Sequence, residues 1–596
     1  MNILKVLNFS NKRSAAPGRL IPGKQKTERR YTPAHTAPDF CRTIELHGDR
    51  IAYEYFVSPT DTATMTYAEF VGMIRRFSAG LEKLGMSHGR VAVIGETSPK
   101  WVAAYLAVMA QGGVVVPMDR ELAPNEIYGF LSGISCDAVV AAPSLDESLA
   151  DLLTDHPSVR YYITMGEEKK NDKVTLWSEV EQSGAEAVEA GWDFPPCRSR
   201  GELAEMLFTS GTTGSSKCVM LCQRNVFSVV NSCAESVDFT PDEVVVSVLP
   251  MHHTYGLACM LAELLYGVKI CINDSLRHVL RNFARFRPTA LILVPLFVQT
   301  MYKKIINEVE KKGKLRTFNA GIAASRVMVK VGVDLRKKLF AEVREAFGGR
   351  LEKIICGGAP LKPDLIYAFE DFGISIYEGY GITECAPLAA VTPYYKRKSG
   401  SVGPSVPCCT IRVDGETIND AGFAEGEIQI HGDNVMLGYF ENPEANAAAF
   451  TDDGWYRTGD VGYMDADGYV YITGRMKSVI VLENGKNVFP EEIEDHFQLY
   501  YDIDQICVVG YTADEKLKQE GVACLIYPTQ EARREYPDHG AMQLHMEQIV
   551  ETVNHELLPY KRIRKVFVLD EPMEMTSTKK IKRFAVAAKY KEMING

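Results

Sequence analysis

Three observations predict an α/β protein of more than one domain. The chain has 596 residues, more than a single hydrophobic core can use. Between about residues 90 and 356, short runs of Val, Ile and Leu alternate with helix-length apolar segments, the rhythm of parallel strands covered on both faces. Past Cys408 the pattern shifts to short strands punctuated by Gly and Asp, and past Arg475 to mixed strands and one helix. The predicted fold class is therefore α/β. A large N-terminal domain of parallel or mixed sheets with helices carries a β-rich subdomain, and a small α+β domain follows it.

Taken in order, residues 1–36 form a basic extension, 37–474 the large domain with its β-rich part at about 408–474, and 475–596 the C-terminal unit. Within residues 1–30, eight Lys or Arg face one acid, Glu28, behind an apolar start of Ile3, Leu4, Val6, Leu7 and Phe9. Two readings stand: a short amphipathic segment that touches an anionic membrane, or a solvated extension. Arg90–Gly95 reads as a strand, Pro99–Ala110 as a helix and Gly113–Pro117 as the next strand, a βαβ unit. Elements of the same rhythm are expected at Glu243–Pro250, Ala258–Tyr266, Lys269–Asn273, Thr289–Pro295 and Lys353–Cys356. Gln111-Gly112-Gly113 interrupts the apolar stretch Trp101–Met118, and Glu263 and Lys269 interrupt Gly256–Ile272. Each therefore reads as a buried helix and strand, not a membrane span. The last unit should hold strands at Gln505–Val509, Gly521–Ile526 and Lys565–Leu569, and a helix with Met542, Met546, Ile549, Val553 and Leu557 on one face.

Composition narrows the function classes. A formal net charge of −11 argues against nucleic acid as a partner, because phosphate binding wants a basic surface. Fourteen scattered cysteines with no Cys-x2-Cys pair suit a reducing cytoplasm and offer no metal-ligand spacing. Met1–Phe9 is apolar but short and lacks a cleavage site, so no secretory leader is read.

The richest stretch is Leu207–Leu221. Met206-Leu207-Phe208 reads as a strand entering a turn of hydroxyls and glycines from Thr209 to Lys217. Gly211 and Gly214 let backbone N–H groups turn inward, the hydroxyls add donors, and Lys217 adds a fixed charge. Such a loop suits a polyphosphate. Its Gly-x2-Gly-x2-Lys spacing, followed by Cys218, differs from a Walker A loop.

Four more stretches follow: Cys356-Gly357-Gly358-Ala359-Pro360-Leu361, Tyr377–Glu384 (YEGYGITE), Gly454–Asp460 (GWYRTGD) and Thr473–Lys477 (TGRMK). In this order and spacing the five resemble the acyl-adenylate-forming enzymes, over about residues 40–590. Residues 250–256 (PMHHTYG), 482–494 (LENGKNVFPEEIE) and 576–583 (TSTKKIKR) resemble the long-chain fatty acyl-CoA synthetase branch. The resemblance implies an ATP-dependent ligase with Mg²⁺, ATP and coenzyme A, acting on a fatty acid, with an acyl carrier protein as the alternative acceptor.

It also implies roles. Thr209, Ser210, Gly211, Thr212, Thr213, Gly214 and Lys217 would hold the β- and γ-phosphates. Thr383 would bond the α-phosphate, and Glu384, with Thr209, would ligate Mg²⁺. Tyr380 and Gly381 would lie at adenine beside Gly358, Ala359 and Pro360. Asp460 and Arg475 would bond the ribose. Lys580 would be the catalytic lysine; Lys579 stands where many members have Gly, so the choice between the two lysines stays open. Lys477 would sit at a hinge about which a mobile C-terminal domain swings.

His252 or His253 would border the acyl carboxylate, His253 being taken as the catalytic candidate; a satisfied core histidine is the other reading. Amino-acid-activating relatives carry an aspartate to hold the ammonium group, but here no acid follows Met251 until Glu263, which excludes that class. Leu257, Met260, Leu261, Leu264, Leu265, Val294, Leu296 and Phe297 fit an alkyl tunnel and an ordinary core equally well. With 16 residues following Lys580 here, the acceptor is expected to be external.

Overall fold

The computed structural model describes residues 20–26, 31–209, 216–482, 486–514, 519–575 and 581–595. Strand alternation decides its layers. Val91 and Val93 enter one core, shared with Trp101 and Tyr105, whereas Ala92 and Ile94 enter another with Val114 and Val116. These strands belong to an eight-stranded sheet. Arg90–Ile94, Val114–Met118, Ala138–Ala141, Tyr161–Thr164 and Val174–Leu176 pair in parallel. Lys217–Cys222 and Gly438–Tyr439 close one edge antiparallel.

A second eight-stranded sheet is built in the same way. Val245, Ile270, Ile292 and Ile355 face the core shared with the first sheet, and Val244, Val246, Leu291 and Ile354 face away from it. Helices Pro99–Ala110, Gln223–Ser236 and Thr254–Tyr266 contribute to the shared core. Pro99–Ala110 starts where the sequence places it, with Pro99 in the first turn and the Ser98 hydroxyl accepting from Trp101 N–H at 3.1 Å. Eleven of its twelve residues are buried. That explains an apolar stretch that is neither amphipathic nor membrane-spanning. No helix among the described residues is long and apolar enough to cross a membrane.

The β-rich part is a four-stranded antiparallel sheet of Cys409–Ile418, Ala424–Gly432, Tyr456–Met464 and Val470–Arg475. Three of its strands run nine or ten residues, longer than its Gly-rich sequence suggests. Some of these glycines lie inside strands: a Cβ on Gly426 would collide with the Asp414 carbonyl across the ladder. The C-terminal unit holds Ile503–Asp514, Gln519–Pro528 and Ile563–Val568, covered by helix His539–Asn554. Met542, Met546, Ile549 and Val553 are buried along that helix, and Leu557 joins the same cluster just beyond its end.

Part of the basic extension is attached to the body. Leu20–Pro22 pairs antiparallel with Lys396–Lys398, and Ile21 is buried. The apolar start, Ile3 to Phe9, lies outside the described residues.

Trp101 stacks on Tyr105 in the shared core. Trp101→Ala should therefore cost about 3–5 kcal/mol. Urea unfolding followed by circular dichroism should show a lower midpoint at unchanged slope.

Candidate active site

The site is built around a buried carboxylate. Asp460, on strand Tyr456–Met464, is 4% exposed and stands in register opposite Arg475 of the next strand. One carboxylate oxygen accepts from the Tyr380 hydroxyl at 2.7 Å, and the other lies 3.0 Å from Arg475 Nε. Asp460 N–H donates to Thr458 Oγ1 at 3.0 Å. Tyr380 comes from the second large sheet, so this contact ties the β-rich part to the main body. Burial pushes the Tyr380 phenol far up, which keeps it a donor. The Asp460 carboxylate, foremost among its neighbours, raises the Arg475 guanidinium; Tyr380, Glu491 and Glu384 act in the same direction.

Glu384 lies in a single tight turn, Thr383–Cys385, and neither it nor Thr383 caps a longer helix. Its Oε1 accepts from the Tyr439 hydroxyl at 2.9 Å, and that hydroxyl lies 3.4 Å from the Tyr456 hydroxyl. Lys217 Nζ stands 4.6 Å from the centroid of the same Tyr439 ring. Tyr439 thus bridges the Lys217 end of the Gly-rich turn to Glu384, a role the sequence reading missed. Its position opposite Val219 at the sheet edge is the cause.

Thr209 and Lys217 pair across the base of the Gly-rich hairpin, where Thr209 Oγ1 donates to the Lys217 carbonyl at 3.3 Å. Ser210, Gly211, Thr212, Thr213 and Gly214 lie outside the described residues, as do Lys579 and Lys580. Lys477 sits in the tight turn Met476–Ser478 directly after Arg475.

Gly358 has φ +86°, a conformation side chains disfavour, and it lines the same cavity as Tyr380. The following carbonyls meet the C-terminal unit: Gln498 Nε2 donates to the Pro360 carbonyl at 3.1 Å, and Lys362 N–H donates to Gln498 Oε1 at 2.9 Å. Asp495 Oδ1 accepts from Gln498 Nε2 at 2.8 Å, and burial pushes the Asp495 carboxyl up to about 8. Gly381 leaves no room for a side chain, since its Cβ would overlap the Pro387 carbonyl.

An apolar cavity opens beside Tyr380, with about 690 Å³ of atom-free space including its open mouth. Gly357, Gly358, Gly379 and Gly381 form one wall. Tyr255, Ala258, Cys259 and Ala262 form another, one face of helix Thr254–Tyr266. Leu257, Met260, Leu261, Leu264 and Leu265 are packed in the core instead, and Leu296 is half exposed. Large side chains fill space and small ones leave it. Ala and Cys at helical spacing were the signal to read.

His253 precedes that helix as its N-cap residue, with its ring 4.3 Å from His252. His252 Nε2 lies 3.6 Å from Asp119 Oδ2, and burial pushes its imidazole below the ordinary value. The described lining of the cavity includes neither histidine.

Comparison with known proteins identifies the family. The AMP-binding enzyme model matches residues 40–440, and the AMP-binding enzyme C-terminal domain model matches 477–596. The chain belongs to the AMP-binding, adenylate-forming enzyme family, whose chemistry is ATP-driven activation of a carboxylic acid. It is 29% identical over 493 residues to the long-chain-fatty-acid–CoA ligase FadD15 of Mycobacterium bovis, covering 78% of each chain. It is 27% identical over 646 residues to the long-chain-fatty-acid–[acyl-carrier-protein] ligase AEE15 of Arabidopsis thaliana, covering 94% of this chain and 86% of that one. ATP-bound MatB from Rhodopseudomonas palustris superposes with TM-score 0.69 at 26% identity, covering 94% of this chain and all of that one.

Two outcomes are expected. Asp460→Ala strands the buried Tyr380 hydroxyl and Arg475, and should lower stability by about 1–3 kcal/mol in urea unfolding. Asp495 is raised in the fold, so the unfolded chain ionises first and stability should fall between about pH 4 and pH 8, then level off. Asp495→Asn keeps an acceptor for Gln498 and should flatten that slope in denaturant titrations across the range.

Proposed function

We propose that the protein activates a medium- or long-chain fatty acid with ATP through an acyl-AMP intermediate and transfers the acyl group to coenzyme A. The observation that carries this reading is the apolar cavity meeting Tyr380, whose hydroxyl bonds Asp460. An alkyl chain in the cavity would bring its carboxylate to the residues proposed to hold the nucleotide.

A carboxylate is a poor electrophile because its leaving group would be oxide. Its oxygen attacks the α-phosphorus of ATP, pyrophosphate leaves, and the product is a mixed anhydride. A thiol then attacks the acyl carbon and AMP leaves. The enzyme must therefore hold two anions together and stabilise charge at the α-phosphate.

In this reading the 209–217 hairpin holds the β- and γ-phosphates with Lys217, Thr383 bonds the α-phosphate, and Tyr380, Gly381 and the 358–360 loop flank adenine. Asp460 accepts from the ribose, with Arg475 beside it. His253 borders the acyl carboxylate, and Lys580 approaches the α-phosphate from the C-terminal unit, with Lys477 at the joint. The oxygen donors Glu384 and Thr209 suit Mg²⁺, a hard cation that takes few protein ligands beside nucleotide phosphates. When bound, the ion would neutralise phosphate charge. The working boundaries are 37–474 for the large domain and 475–596 for the mobile one.

Transfer to an acyl carrier protein is the second reading, favoured by the likeness to AEE15 along 94% of the chain. Supplying coenzyme A or carrier protein singly, and measuring thioester by mass spectrometry, separates the two.

Lys580→Ala should lower carboxylate-dependent ATP–pyrophosphate exchange by about 10²–10³ while sparing thioester formation from supplied acyl-AMP. Equal loss of both half-reactions would contradict the alternating arrangement. Ala262→Phe, which adds a ring to the cavity wall, should move the exchange optimum toward shorter acids.

A further inference from the structure

Helix Leu315–Lys330 is apolar on two faces, and only one is covered. Leu315, Phe318 and Ile322 pack against the core of the second sheet, and Ser325 is buried. Ala320, Ala323, Ala324 and Val327 lie on the opposite face, exposed, and Val331 extends the stripe. Val327 is 62% exposed and Val331 72%. Val329, Val333, Leu335 and Leu339 are exposed as well, so six large apolar side chains face water within thirteen residues. Scattered exposed apolar residues need no explanation, but a concentration of them does.

The charge of the same segment indicates what covers it. Residues 311–339 carry nine Lys or Arg and one acid, Asp334, in a chain whose net charge is −11. Several pair with acids toward the body: Arg326 with Asp371, Arg336 with Glu370, Lys312 and Lys314 with Glu342, and Lys337 with Glu352. Arg316, Lys330 and Lys338 enter no ion pair among the described residues. A strongly acidic protein is repelled from an anionic surface everywhere except where its basic groups gather. Exposed valines and leucines among lysines make a face that inserts shallowly among lipid headgroups while its cations meet lipid phosphates.

We infer that the face formed by 315–339 docks on an anionic phospholipid bilayer. Docking of this face is independent of the proposed substrate, although a water-poor acid would be met at such a surface.

The test is flotation of the full chain with vesicles of phosphatidylcholine, with and without phosphatidylglycerol, at low and high salt. Binding is expected only to the phosphatidylglycerol vesicles and should weaken as salt rises. Val327→Asp/Val331→Asp, and separately Lys330→Glu/Lys338→Glu, should each weaken vesicle binding about tenfold or more. The midpoint of thermal unfolding and exchange with a soluble acid should stay unchanged, which separates lost docking from lost folding or lost activity. Undiminished binding of both variants would overturn the proposal and assign binding to another part, such as the basic N-terminal extension. No binding of the wild-type chain would overturn it too. So would a concentration-dependent dimer that Val327→Asp/Val331→Asp dissolves, which would show that a second copy covers the face.

Discussion

The hydrogen bond from Tyr380 to Asp460 is the constraint on which the site depends. It joins the second large sheet to the β-rich sheet through a carboxylate with almost no access to water. A buried carboxylate is costly unless its oxygens are occupied, and here Tyr380 takes one and Arg475 the other. The arrangement fixes two sheets against each other at the point where the 358–360 loop, the Glu384 turn and the joint after Arg475 come together. Gln498 adds a second tie by holding that loop to the C-terminal unit with neutral hydrogen bonds. Neutral bonds of this kind are worth about 1 kcal/mol each. Bonds of that strength would allow the small unit to move as the proposed alternation requires.

The cavity obeys a different rule. Part of its wall is glycine backbone, and on one helix face Ala258, Cys259 and Ala262 leave room beside Tyr255, so some of its shape is set by side-chain atoms that are missing. The same helix presents Leu257, Met260, Leu261, Leu264 and Leu265 to the core and Ala258, Cys259 and Ala262, with Tyr255, to the cavity. Packing and binding thus share one element without competing. The uncovered stripe of helix Leu315–Lys330 repeats the theme at the surface, where a second apolar face serves no core.

Much of this was legible in the chain. The βαβ unit around Arg90–Met118 announces itself because a fully buried helix and parallel strands need unbroken apolar runs with glycine breaks. Gly358, Tyr380, Glu384, Asp460 and Arg475 were singled out together, and the fold brings them together. Tyr439 was invisible because its partners, Glu384 and Lys217, are distant in sequence and the tyrosine stands outside any glycine-rich turn. The sequence leaves the cavity wall open, because hydrophobicity marks what fills space, and the large apolar residues of that helix fit a tunnel and a core equally well. Leu20–Pro22 falls within the basic extension, since three residues pairing with Lys396–Lys398 carry no local pattern.

Membership of the adenylate-forming family and the described geometry converge on one chemical claim: a carboxylate oxygen becomes bonded to the α-phosphorus of ATP before any thiol is acylated. Labelling both carboxylate oxygens of a fatty acid with a heavy isotope, and following the label by mass spectrometry after turnover with ATP, Mg²⁺ and coenzyme A, tests it most directly. One labelled oxygen in each AMP is the predicted result. Label in pyrophosphate or inorganic phosphate, with none in AMP, would contradict it.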